Sequence, residues 1–591
     1  VAAAPVAAAP AAEDSASVAT APVAPAVTSR PGRSRTRWIA ALIVTLLVVG
    51  TAAGATLMLT ADAGNPGVLA WTPADSVAYA EARLDLPGDQ QAELAKVLAA
   101  FPGFDDQAAF PAKLNEALDL LVGRASKDKM SYQADIAPWF AGQVAVSVGP
   151  IPASADAASV RALVLAGTKD AAKAGAWAAR VLADAGATTA TETWNGVTIT
   201  TITLPASDAA MAGSHPAWAT FGPILALGDV ASIKAAIDTK GTAGLPTNAQ
   251  FKTAEATVPG DRLGFAYADT AAIMKAAQAA GGSGASAMPT MPAFLDQLNV
   301  PWGVSVIRAH GGAFVIDGVT PHAAGLGPDK AAESKLPGLV PATTVALIEG
   351  HDAGQALERA KTLLGKDPSL ADGIKQVDGA LSLLGGYGAV VDWMGEAGVA
   401  ITVADGKPGG GIVVTPTDPA ASERLFTQLR GLLAFAGGSG ITVSEEPYAG
   451  ATIVIVHLGD LGALAGQAAG GALKAPADVS IAYAVTKEVV VVGSGADFVK
   501  GVLDARGGDS LATSARFSAA LATVDKAHGS LIWLDVAAVR GLAEAQIPEA
   551  ERGKYDTDVK PYLDAFDSVI GTSTPGETLD RATLIIRVNG N

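Results

Sequence analysis

The sequence predicts an α+β protein: one N-terminal transmembrane helix, then two tandem copies of a domain in which an antiparallel sheet is covered by helices. Three observations carry that expectation. An uncharged apolar run follows a cluster of arginines. The remaining chain aligns with itself in a single order. Within each copy, strand-like alternation is interrupted by helical spacing of apolar residues.

Residues 1–37 come first. Ala, Pro, Val, Ser and Thr dominate residues 1–29, with no aromatic residue to pack, so a disordered cytoplasmic tail is expected. The sequence begins at Val1 rather than Met. Arg30, Arg33, Arg35 and Arg37 form a basic flank. Residues 38–60, WIAALIVTLLVVGTAAGATLMLT, are uncharged. At about 1.5 Å per residue such a run spans roughly 34 Å, enough for a hydrocarbon core near 30 Å. Trp38 sits where an interfacial aromatic anchors. The arginines precede the run and Asp62 is the first charge after it, so the tail stays in the cytoplasm and the rest lies outside. Ala61-Asp62-Ala63 offers a peptidase small residues, but the run exceeds the 7–15 residues of a signal core. An uncleaved, single-pass anchor in the cell membrane is the expectation.

Self-comparison divides the remainder into copies at 66–322 and 337–591, joined by a linker at 323–336. Residues 247–273 align without gaps on 513–539. Thr247/Thr513, Phe251/Phe517, Ala254/Ala520, Thr257/Thr523, Val258/Val524 and Asp269/Asp535 coincide. Pro73-Ala-Asp-Ser-Val-Ala-Tyr matches Pro341-Ala-Thr-Thr-Val-Ala-Leu, and Trp139 and Trp393 precede similar strands. Trp194-Asn195-Gly196 matches Tyr448-Ala449-Gly450.

In the first copy VAYAEARLD, QVAVSVG and RALVLAGT read as strands, and the segments from Asp89 and Phe110 as helices. Lys169–Ala185 reads as a helix with Asp170 near its start. A hairpin follows, with Asn195-Gly196 as its two-residue turn. Two strands, a helix, the strand RLGFAYAD and a further helix complete the copy, with a flexible loop at 279–292. Helices are expected on one sheet face. The first copy closes with a strand pair, WGVSVIRAHGGAFVIDGVT, and the second with RATLIIRVNG.

Composition excludes more than it assigns. The net charge is −17; residues 1–61 hold four Arg and two acids, a sum of +2, so the rest carries −19. That acidity disfavours nucleic-acid partners. With no Cys there are no disulfides, thiolate metal sites or Cys nucleophiles.

The Pro73-Ala-Asp75 strand opening, the Asp135-Ile-Ala-Pro138-Trp139 segment running into strands, and Tyr267-Ala-Asp269 resemble the bacterial DUF3352 family of membrane-anchored proteins. The resemblance covers most of the ectodomain. It implies no activity and no functional residues.

The residues themselves offer little chemistry. Gly493-Ser-Gly495 stands between a strand and a helix, but the third glycine of a dinucleotide fingerprint is missing and Asp497 opposes a pyrophosphate. Helix capping explains it. His351-Asp352 lacks further ligands at metal-site spacing, and the six His are scattered; His310 and His322 could approach each other across a hairpin, but surface histidines are the expectation. Ser283 and Ser439 lie in Gly-rich loops without a base. Asp105-Asp106 and Glu445-Glu446 are adjacent carboxylates that solvate or face apart. Trp139 and Trp393 read as core, and Asp269 and Asp535 as helix N-caps. No catalytic, cofactor-binding or metal residue is assigned, and no cofactor.

The leading functional expectation is a membrane-anchored extracytoplasmic binding or scaffolding protein without catalysis. Its partners are the bilayer, through residues 38–60, and an envelope protein or lipid. The alternatives are a carrier of lipid or small hydrophobic ligands with an apolar groove, and an enzyme with an unrecognised site.

Overall fold

The computed structural model describes residues 67–104, 110–127, 129–151, 161–184, 186–203, 216–279, 300–323, 330–365, 368–404, 406–435, 442–457 and 480–589. The expected tail and membrane helix lie outside these residues. So do the loop from 280 onward, Asp105, Asp106, Ser283 and Ser439. Among the described residues no helix is long and apolar enough to cross a membrane.

Helices and one large antiparallel sheet make the protein α+β. Among the described residues the sheet has 20 strands. Ten come from the first half of the chain: β1 (Ala78–Arg83), β2 (Phe140–Val148), β3 (Ala162–Thr168), β4 (Thr188–Trp194), β5 (Val197–Thr203), β6 (Pro216–Phe221), β7 (Ile224–Asp229), β8 (Gly264–Ala268), β9 (Gly303–His310) and β10 (Ala313–Pro321). Ten come from the second: β11 (Thr344–Gly350), β12 (Met394–Ala404), β13 (Lys407–Pro416), β14 (Thr442–Tyr448), β15 (Ala451–His457), β16 (Ser480–Val485), β17 (Val490–Gly493), β18 (Ser530–Asp535), β19 (Phe566–Thr574) and β20 (Leu579–Val588).

Hydrogen bonding sets the first half in the order β4-β5-β6-β7-β3-β2-β1-β8-β9-β10. The second half runs β14-β15-β16-β17-β13-β12-β11-β18-β19-β20. Adding ten to each label of the first order yields the second. The halves meet where β10 pairs antiparallel with β20 over nine residues, from Ala313 opposite Arg587 to Pro321 opposite Leu579. Asp317 and Thr583 face each other at the centre of that seam. The Thr583 hydroxyl donates to Asp317 at 2.9 Å, and Arg308 Nε donates to the other Asp317 oxygen at 2.9 Å.

Helices cover both sheet faces rather than the single face expected. On one face, Ile233, Ala236 and Phe251 pack with Tyr79, Phe265 and Val304 in the first half. Phe498, Val502 and Phe517 pack with Leu347, Trp533 and Ile570 in the second. On the opposite face Leu118, Trp139, Trp177 and Val164 pack in the first half, and Trp393, Val414 and Leu425 in the second. The cause is residue composition. Strands such as β3 are apolar at successive positions, so both of their faces need cover.

Two further differences from expectation are local. The second half closes with a strand pair, β19 and β20, as the first does with β9 and β10. Residues 330–336 of the expected linker pack onto the second half: Ala332–Glu333 pairs with Ala527–His528, and Ser334 Oγ donates to Glu349 at 2.6 Å.

The β4–β5 hairpin turns as predicted, with φ of +46° at Asn195 and +80° at Gly196. The β14–β15 hairpin repeats this geometry with Ala449 at +46° and Gly450 at +77°. Alanine is disfavoured there by roughly 1 kcal/mol, because its Cβ crowds the following carbonyl. Ala449→Asn is therefore expected to stabilise the protein by about 0.5–1 kcal/mol, read as a higher urea midpoint at unchanged slope.

Candidate functional site

Each half buries a carboxylate from its first strand against a nitrogen-bearing side chain, Arg262 or His528, that stands just before its eighth. Glu81 on β1 accepts from Arg262 Nε at 3.2 Å and from the Tyr79 hydroxyl at 2.6 Å. Glu349 on β11 lies 3.3 Å from His528 Nε2. Arg262 precedes β8, and His528 precedes β18, by the same two residues. Burial forces the pairing, since an unpaired carboxylate there is costly.

The second half adds a histidine layer. The expected surface residue His351 places Nδ1 3.4 Å from Glu396 and Nε2 3.1 Å from the Ala332 carbonyl. Its ring centroid is 5.8 Å from that of His528. The Glu396 hydrogen bond raises the His351 pKa above 6.5, against desolvation. Burial pushes Glu396 up, but His351 and the Lys335 amide, which donates at 2.9 Å, outweigh it and hold its pKa below 4.5. With acceptors at both ring nitrogens, His351 has neither free as a base or a metal ligand. Of these groups His351 and Glu396 line a cleft of about 680 Å³, along with Lys335, Asp352, Thr417 and Lys487. Among the described residues no cluster of three or more His, Asp or Glu can hold a metal. Sequence reasoning missed this grouping because its members come from four separate segments.

The second feature is a stretch of sheet that no described residue covers. On the face opposite Leu347 and Trp533, directly opposed cross-strand residues run from Ile412 through Val399 and Ile348 to Ile532. The row then crosses Gly571 to Leu584, Ile316 and Ile307. A Cβ on Gly571 would lie 2.8 Å from Leu584 Cδ1, so Leu584 leans over the glycine and keeps the row continuous. Ile348 is 59% exposed, Val399 51%, Ile412 50% and Ile532 45%. Eight strands about 4.8 Å apart make the row roughly 34 Å long. Two residues along each strand the side chains shrink to Gly350, Ser530, Ser573, Ala582, Gly318 and Ser305. Part of this trough forms a concavity of about 490 Å³.

The first half covers the corresponding strands. Val164 takes the position that Ile412 holds in the second half, and it is 6% exposed beneath Trp177 and Trp218. Leu425 and Tyr483 stand in place of those tryptophans, and Ile412 stays open.

The residues weighed from sequence fall out as follows. A Cβ at Gly493 would lie 2.4 Å from the Phe498 ring, so close packing requires that glycine. Asp269 and Asp535 cap helices, accepting from the Ala272 and Ala538 amides at 2.8 and 2.9 Å. Trp139 and Trp393 are core residues, 1% and 2% exposed. Their carbonyls accept from Thr168 and Thr417 hydroxyls, both at 2.9 Å. Glu445 and Glu446 face apart, toward Arg430 and Lys500. His310 and His322 do not approach: they flank opposite ends of β10, roughly 30 Å apart at about 3.3 Å per residue. His322 instead pairs with Asp580 at 2.8 Å.

A sequence model described as "Protein of unknown function (DUF3352)" matches residues 40–588. No curated protein matches the chain. Two crystal forms of TP0453 are similar over part of it. Form I has 9% identity, covers 46% of this chain and 81% of that one, and has a TM-score of 0.22. Form III has 10% identity, 43% and 78% coverage, and a TM-score of 0.20.

The His351–Glu396 contact makes stability depend on pH. A raised histidine pKa stabilises below 6.5 and loses that contribution as pH rises through the folded value. A depressed carboxylate pKa stabilises above 4.5 and loses its contribution as pH falls. His351→Gln is therefore expected to cost about 1 kcal/mol between those limits and progressively less at alkaline pH. Urea titrations across pH 4–9, an illustrative range of about five units, check this.

Proposed function

The chain belongs to the DUF3352 family, and on that premise we propose a membrane-anchored, extracytoplasmic binding or scaffolding protein without catalysis, built by duplication of a ten-stranded unit. The exposed aliphatic row carries the binding reading. Contiguous apolar surface of that extent on a folded protein marks an interaction site. Duplication at 66–322 and 337–591 is supported by the repeated strand order and by the paired roles of Glu81/Glu349, Asp269/Asp535 and Trp139/Trp393. Anchoring through residues 38–60, with the N-terminus in the cytoplasm, is supported by the uncharged run after four arginines. The charge of −19 on the remainder favours partners other than nucleic acid.

A carrier of lipid or small hydrophobic ligands is the second reading. The trough beside the aliphatic row favours it. Its floor of Gly, Ala and Ser leaves room for a thin unbranched chain, and its lining is largely apolar.

Both readings place the cargo on the same face, so one experiment separates them. The full chain is extracted gently from its own membrane and examined by native mass spectrometry beside an Ile348→Glu/Ile532→Glu variant. Both positions are solvent-exposed, so folding is expected to persist. A protein partner lost from the variant supports the scaffold. A lipid lost from the variant supports the carrier. Wild-type protein without cargo, or cargo retained equally by the variant, contradicts binding at this face.

A further inference from the structure

Among the described residues the sheet has two outer strands, and they are guarded unequally. Every residue of β4 is exposed, and among the described residues β4 pairs only with β5. Its sequence, TTATETW, contains no proline and one charge. The other edge, β14, reads TVSEEPY. Aligned on their shared hairpin turn, Thr191 corresponds to Glu445 and Thr193 to Pro447. Charge and proline are the devices that stop an edge from pairing with another chain: proline removes a backbone donor, and charge repels a like strand. β14 carries a proline and two carboxylates, whereas β4 carries no proline and a single carboxylate.

We propose that β4 is a self-association edge, pairing antiparallel with β4 of a second copy of this chain about an axis at Thr191. In that register Thr189 faces the partner's Thr193, Ala190 faces the partner's Glu192, and Thr188 faces the partner's Trp194. Threonine pairs suit a two-sided, solvent-exposed ladder. No like charges oppose, and Glu192 is already held by Lys234 at 3.1 Å. The same register on β14 would set Glu445 against itself and leave Pro447 without a donor. A mixed β4–β14 pairing would be head-to-tail, and a contact of that type propagates unless it closes into a ring. The guarded β14 edge blocks it, so association stops at a two-fold dimer with one sheet continuous across both copies.

The chain contains no Cys, which makes the register directly testable. Opposed residues of an antiparallel pair lie about 4.5–5.5 Å apart at Cα, within disulfide reach. Full-length Thr191→Cys in mild detergent is expected to form a covalent dimer under mild oxidation. Thr189→Cys alone is not, but Thr189→Cys mixed with Thr193→Cys is. The variant Thr191→Glu/Thr193→Pro gives β4 the residues that β14 already accommodates. It is expected to keep its circular dichroism and melting temperature while its sedimentation mass falls from two chains to one. Monomeric wild type overturns the proposal. So does a dimer that survives the double variant, as one held by another surface would, or a different protein occupying the β4 edge.

Discussion

The nine-residue ladder between β10 and β20 is the constraint on which the rest of the architecture depends. Each half could expose its last strand as a bare edge. Instead the two last strands satisfy one another, and Thr583 and Arg308 close on Asp317 at the midpoint. That pairing removes two open edges and, among the described residues, leaves β4 and β14 outermost. It also fixes the relation between the halves, because shifting the register by one residue would turn Val315 and Ile585 out of the core and bring Ile316 and Leu584 in. The aliphatic row crosses this seam, so the candidate binding face belongs to neither half alone.

The halves share a plan and differ in chemistry. Where the first buries a guanidinium against Glu81, the second buries an imidazole against Glu349. Where the first covers Val164 with tryptophans, the second leaves Ile412 open. Where the first leaves its outer strand plain, the second places Glu445 and Pro447. These contrasts place the titratable cluster and the most exposed stretch of the aliphatic row, Ile412 to Ile532, in the second half. The first half supplies covered, permanently charged counterparts, so each contrast reads as a change at one position within a common frame.

What was legible in the sequence was local. The Asn195-Gly196 turn, the caps at Asp269 and Asp535 and the helix Ala171–Asp184 depend on neighbours a few residues away, and the residue types announce them. The second half's closing strand β19 was missed because FDSVIGTST is rich in Gly, Ser and Thr: much of its outer face forms the trough, where no core selects large side chains. The His351 and His528 cluster was illegible because the Glu349–His528 contact spans 179 residues. Periodicity assigned strands but could not name their partners. For that reason two tandem domains and one twenty-stranded sheet looked alike until β10 met β20.

Native-state hydrogen exchange on the full chain tests the continuous sheet most directly. The account predicts that amides engaged in the β10–β20 ladder exchange as slowly as those of β1 and β11, and open with them in one cooperative step. Rapid exchange across 313–321 and 579–588, with both halves otherwise protected, would contradict it. The halves would then be separate bodies, and the face shared between them would not exist.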